Sequence, residues 1–139
     1  MIKYLIISFI FCGIIRAESI DNVKLVKVYD GDTVFVNINC QYKVFCDRIG
    51  VRLYGIDTPE LRTRNKCEKQ KAIKVRNFVA KKLYLAKRID LINIKRDKYF
   101  RINAIVLYDG RSLNRELVNN RLAIEYYGGT KKKVNWCNF

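Results

Sequence analysis

Two short turns hold an unusual share of the chain's carboxylates. "YDGDT" at 29–33 supplies Asp30, Asp32 and Thr33, and "VRLYGIDTPE" at 51–60 supplies Arg52, Asp57, Thr58 and Glu60 around the only proline. Aspartates and backbone carbonyls are hard oxygen donors, suited to calcium or magnesium. Two carboxylates and one carbonyl leave coordination positions for water and a phosphate oxygen, the arrangement by which a metal acts as a Lewis acid. Ordinary solvated turns would have the same composition. What sets these two apart is their pairing with Arg52 in a chain whose 28 Lys and Arg outnumber 13 Asp and Glu. The formal charge of +15 points to an anionic partner, nucleic acid or an anionic surface.

The chain has no histidine, so acid and base work must fall on carboxylates, Tyr, Lys or Arg. Five cysteines are present. Their spacings match no paired-cysteine zinc motif, and zinc is disfavoured without histidine. Residues 1–17 have Lys3, an apolar run from Tyr4 to Ile15 and then Arg16-Ala17, the pattern of a secretory signal peptide. The run is too short for the ~20 residues of a spanning helix. Export, to the medium, the periplasm or the cell envelope, would leave Cys40, Cys46, Cys67 and Cys137, an even number that reads as disulfides. Cys40 ends one expected strand and Cys46 precedes the next, so a hairpin is expected to bring them opposite each other as a pair. Cys67 and Cys137 would then form the second bridge.

These residues need positioning. Alternating patterns predict strands over 23–29, 33–39, 50–56, 88–94 and 101–108. Gly31 is expected to permit the sharp bend at 30–33, and Pro59 to stiffen the second turn. Ala72, Val75, Val79, Leu83 and Ala86 share one side of a helix expected over 68–87. Leu113, Leu117 and Leu122 do the same over 113–122, with Ser112 as N-cap. Five short strands in a small domain usually close into a barrel, so the expected fold is α+β, an OB-like five-stranded barrel with two packed helices. The domain is expected over 18–127, with 128–139 a basic tail tethered by its cysteine.

"VKVYDGDTVFV", "RLYGIDTPE" and "RDKYFR" followed by "LYDGRSLNRELVNNRLA" resemble the staphylococcal nuclease (thermonuclease) family, in the family's order. The resemblance implies an OB-type barrel and a calcium-dependent nuclease acting on DNA and RNA with little sequence preference and leaving 3′-phosphates. It implies Asp32, Asp57 and the Thr58 carbonyl as calcium ligands, with Asp30 just behind. Glu60 matches the carboxylate that activates water. Arg52 and Arg101 match the arginines that hold the phosphate. Lys98, Tyr99 and, more loosely, Tyr127 match residues gripping a terminal phosphate. Phe100 stands where the type pattern has glycine, which is expected to narrow the nucleotide pocket. A monomer with no obligate protein partner is expected. The competing readings are a non-catalytic OB-fold nucleic-acid-binding module and a cationic membrane-active protein. The second needs an exposed amphipathic helix, whereas 68–87 has a core pattern.

Overall fold

The computed structural model describes residues 18–97 and 99–139. The expected signal peptide at 1–17 and Lys98 therefore lie outside the described residues. Among the described residues, nine strands and three helices follow in order: β1 (Ser19–Ile20), β2 (Lys24–Val28), β3 (Thr33–Asn37), α1 (Lys43–Cys46), β4 (Ile49–Leu53), β5 (Ile56–Asp57), α2 (Lys66–Leu85), β6 (Ile89–Arg96), β7 (Ile102–Tyr108), β8 (Arg111–Ser112), α3 (Leu113–Asn119) and β9 (Ile124–Glu125), before a short 3-10 turn, Trp136–Asn138.

The five long strands are the five expected ones. They run β6-β7-β4-β3-β2, with β1 on the outer side of β6. Every pairing among them is antiparallel except β4 with β7. The two ends of this path meet where the Val23 amide donates to the Ile89 carbonyl at 2.9 Å. Register shifts in β2 (Leu25/Lys27) and β6 (Ile92/Lys95) supply the extra bend that a small closed sheet requires. The fold is thus an α+β, OB-like barrel with two packed helices.

Side-chain alternation fills the interior. Val34, Val36, Val51, Leu53, Leu91 and Val106 are at most 1% exposed. Each such burial contributes roughly 1.5–3 kcal/mol of transfer free energy. Against β2 packs α2, burying Ala72, Val75, Val79 and Leu83, the side its spacing predicts. Asn65 caps it, accepting from the amides of Cys67 and Glu68. Ser112 caps α3 as expected, and Leu113 and Leu117 enter the core. The buried Asn114 stitches α3 to the barrel, donating to the Tyr54 carbonyl (2.7 Å) and accepting from the Val106 amide (3.0 Å).

Three expectations need correction. The strand expected over 50–56 is broken by a turn at Gly55 (φ +80°) into β4 and β5. A Cβ on Gly55 would also stand 2.8 Å from the Tyr127 ring. The link from Cys40 to Cys46 is no simple hairpin, since it contains the helical turn α1. The helix expected over 113–122 ends at Asn119, and Leu122 packs on the core from the following loop.

Candidate active site

The β2–β3 turn, the end of β4, the β5 turn and the entry to β7 open on one cleft of about 840 Å³. Strand register builds it. Thr33 lies opposite Arg52 in the antiparallel β3–β4 pair, and Arg52 lies beside Asn103 in the parallel β4–β7 pair. Asp32, one residue before Thr33, consequently meets the Arg52 guanidinium, and the two form an ion pair. Arg52 also stands 3.5 Å from Asp57 Oδ1 and donates to the Ile56 carbonyl at 3.3 Å. One guanidinium thereby joins the two turns singled out by the sequence.

Both carboxylates are buried, Asp32 at 5% and Asp57 at 4% exposure. Asp32 accepts from the hydroxyls of Thr33 and Thr58, each at 3.2 Å. Behind it, the Asp30 carboxylate accepts from the Asp32 amide at 3.1 Å. Gly31 is needed for space more than for the bend. A Cβ there would come within 2.9 Å of Val75 Cγ1 and of the Thr58 side chain, so only glycine lets this turn lie against α2 and the second turn.

Burial pushes the Asp32 carboxyl up to about 6, Arg52 opposes the shift, and Asp30 and Asp57 add to it. Burial also works against the Arg52 cation, but Asp32 and Asp57 outweigh it and hold its pKa above the ordinary value.

Asp57 Oδ1 is buried and accepts no well-angled hydrogen bond. Its contacts are ionic: Arg52, and Lys131 Nζ at 2.9 Å. The same ammonium reaches Glu60 Oε1 at 3.0 Å. Burial opposes the Lys131 charge, but Asp57 and Glu60 outweigh it and raise its pKa. Glu60 is an exposed residue of the cleft lining, which also includes Arg101. Asp97 orients Arg101, accepting from Nη2 at 2.8 Å and Nε at 3.2 Å.

The sequence-selected residues thus fall into place as follows. Asp30, Asp32, Arg52, Thr58, Glu60, Tyr99, Arg101 and Tyr127 line the cleft, and Asp57 contacts Arg52 from beside it. Lys98 lies outside the described residues. Tyr99 and Tyr127 are mostly exposed at the cleft's rim, and Tyr127 stacks edge-on against Tyr54 at 5.8 Å. Phe100 does not narrow the pocket. Its backbone is left-handed (φ +58°), the geometry glycine favours, and its ring is 87% exposed beside Arg96.

Two neighbours of the candidate site escape sequence reasoning. Lys131 sits in a lysine run that reads as a solvated tail; the glycine pair before it was the only hint that the chain turns back. Asp97 had a signal, its i, i+4 spacing from Arg101.

Among the described residues no three His, Cys, Asp or Glu side chains converge as a cage for a metal. The donor set is smaller and fits a hard cation with an open coordination sphere. It is all oxygen, it carries two buried carboxylates, and one of their oxygens lacks a hydrogen bond.

The tail is fixed to the rest of the barrel. Cys67 and Cys137 stand at disulfide distance with Cα atoms 5.9 Å apart, and Cys40 and Cys46 likewise at 6.2 Å. Trp136 is buried beside Phe139.

Comparison with known proteins bears on this arrangement. The family model described as "Staphylococcal nuclease homologue" matches residues 50–136. That range holds Arg52, Asp57, Glu60 and Arg101, while Asp30 and Asp32 join them through the β3–β4 register. The uncharacterized protein MJ1439 of Methanocaldococcus jannaschii is 30% identical, over 83% of this chain and 64% of its own length. The chain therefore spans slightly less than two thirds of that relative.

Proposed function

The chain belongs to the family of staphylococcal nuclease homologues, and on that premise we propose that it is a calcium-dependent nuclease hydrolysing phosphodiester bonds of DNA and RNA. The observation that carries this reading is the contact of Arg52 with both Asp32 and Asp57 in a cleft also lined by Glu60 and Arg101. A phosphodiester has one negative charge and gains more as water attacks. Arg52 and Arg101 bind the phosphoryl oxygens through planar forks, a contact that strengthens as that charge develops.

Glu60 is the general base. It takes a proton from a water molecule whose oxygen forms the new bond to phosphorus, and the P–O5′ bond breaks as the departing oxygen takes a proton from solvent, leaving a 3′-phosphate and a 5′-hydroxyl. The role suits Glu60 because its carboxylate reaches solvent at the cleft's edge, whereas Asp32 and Asp57 are buried and already committed to Arg52. Calcium held by Asp32, Asp57 and the Thr58 carbonyl would supply Lewis-acid stabilisation of the phosphoryl oxygens. Arg52 and Lys131 supply the positive charge that faces Asp32, Asp57 and Glu60 here, so Arg52 would be free to face the phosphate and Glu60 to accept its proton if a cation took their place at the two aspartates. Tyr99 and Tyr127, exposed at the cleft's rim, offer contacts for a terminal phosphate or base. None of these groups reads base edges, which suits weak sequence preference.

We extend the proposal to location. The pattern of residues 1–17 and two cysteine pairs at disulfide distance support export to an oxidising compartment. The enzyme would act there as a monomer.

The test incubates purified protein with single-stranded DNA and RNA in calcium and in chelator, and identifies product ends. Cleavage in calcium alone, with 3′-phosphate ends, is expected. Cleavage that persists in chelator would remove the metal from the account. Strand binding without any cleavage would make the protein a non-catalytic OB-fold module.

A further inference from the structure

A second, smaller cavity of about 190 Å³ opens between α2, the loop after α3 and the pinned tail. Its lining includes Lys71 and Lys74 from α2, Arg121, Trp136 and Phe139. Pro59 lines both this cavity and the main cleft, so the two are neighbours across the Thr58–Glu60 turn.

The chemistry of the cavity is that of an anion site with an aromatic wall. No carboxylate side chain lines it. Among the described residues, neither Lys74 nor Arg121 has a carboxylate partner. Lys71 is held in place by the main-chain oxygen of Phe139 at 3.1 Å. Trp136, 6% exposed, is part of the lining, and the Phe139 ring stands edge-on to it, 5.4 Å away, in a residue 42% exposed. Cations left without partners in a walled cavity gain more from a phosphate than cations spread over a convex surface. An exposed ring beside them suits a stacked base, the usual pairing in proteins that hold single strands.

We propose that this cavity is a second nucleic-acid subsite, taking the phosphate backbone of the single strand that leaves the main cleft past Pro59. The inference rests on the nuclease reading of the main cleft. It also gives the Cys67–Cys137 bridge a functional consequence, because the bridge holds Trp136 and Phe139 against α2 and so builds one wall of the subsite.

The test compares wild type with the double variant Lys74→Gln, Arg121→Gln. A second double variant, Lys24→Gln, Lys43→Gln, removes the same charge from the far end of the barrel. Binding is followed by fluorescence anisotropy in calcium, with Glu60→Gln added to all three proteins to prevent cleavage, on a single strand of about 16 nucleotides and on a dinucleotide, across a salt series. The subsite variant should bind the long strand about tenfold more weakly at low salt. Its plot of log affinity against log salt should be shallower by about 1.4, two contacts at ~0.7 each. Dinucleotide affinity should be unchanged, and the Lys24, Lys43 variant should stay close to wild type on both probes. A subsite variant that matches wild type on the long strand overturns the proposal. So does an equal loss on the dinucleotide, or an equal loss in the control variant. Wild type that binds neither probe would overturn the nuclease reading and this inference together; wild type that binds both while the variants do not differ overturns only the inference.

Discussion

Lys131 Nζ stands 2.9 Å from Asp57 Oδ1, a carboxylate that is otherwise buried at 4% exposure. Seventy residues separate the two cysteines whose pairing fixes the tail, yet the result is local: an ammonium placed between Asp57 and the proposed base Glu60. A cation entering the site has to displace it. Lys131→Gln should therefore tighten calcium binding, by up to about fivefold, since a half-exposed ion pair is worth up to ~1 kcal/mol. Calorimetric titration of both proteins checks this. Weaker binding by the variant would mean that Lys131 supports the metal site instead of competing for it.

Arg52 should matter before any substrate arrives. It faces two buried carboxylates, and removing one partner of such a cluster leaves charge uncompensated. Arg52→Ala should lower the stability of calcium-free protein by about 3 kcal/mol at neutral pH, and calcium should restore part of it. Arg52→Lys should cost less stability but nearly abolish cleavage, because an ammonium cannot reproduce the planar fork. Urea melts with and without calcium give the first result. An Arg52→Ala variant as stable as wild type would show that the carboxylates do not depend on it.

The second cysteine bridge spans a sequence separation of 70. A loop of that length corresponds to ~4 kcal/mol in the chain-entropy relation. Cys67→Ser with Cys137→Ser should melt well below wild type and keep the proposed calcium-dependent cleavage, as neither residue belongs to the proposed catalytic set. Thermal melts in oxidising and reducing buffer check both parts. Identical melting of wild type and variant would leave the bridge without a stabilising role.

How legible all this was depends on distance along the chain. The two acidic turns could be read because their residues are local and their turn chemistry is explicit in Gly31 and Pro59. Arg52 followed from the same stretch, and the β3–β4 register then delivered it to Asp32. The helix sides of α2 and α3 follow from periodicity that the core enforces. By contrast, α1 is four residues long, too short for any period to show. The pairing of β5 with β9 joins two-residue strands more than sixty positions apart, with no pattern to announce it. Lys131 resembled its solvated neighbours because its place depends on Trp136 packing and the Cys67–Cys137 link. The position of Phe100 is not legible for a different reason: the left-handed backbone turns its ring outward, and a side chain's size says nothing of its direction.

Acid sensitivity should trace in part to Glu116. Burial works to raise its carboxyl, but hydrogen bonds from Lys82 and Tyr108 outweigh burial and hold the pKa below its ordinary 4.5. A depressed carboxyl contributes stability that is full above the unfolded pKa and lost as pH falls through the folded one. Glu116→Gln should thus be less stable than wild type at pH ~7, by about 1 kcal/mol, with the gap closing below pH ~4. Denaturant melts at both pH values test it. A gap that stays constant would assign the network's contribution to packing instead of charge.

The central claim is that phosphodiester hydrolysis occurs in this cleft with Glu60 as the base. Its most direct test is the turnover of Glu60→Gln against wild type in calcium, with affinity for a single strand measured on the same preparations. The account predicts that turnover falls by ~10²–10⁴-fold, the usual worth of a general base, while strand affinity stays within about twofold of wild type. A Glu60→Gln enzyme that still cleaves at the wild-type rate would contradict it.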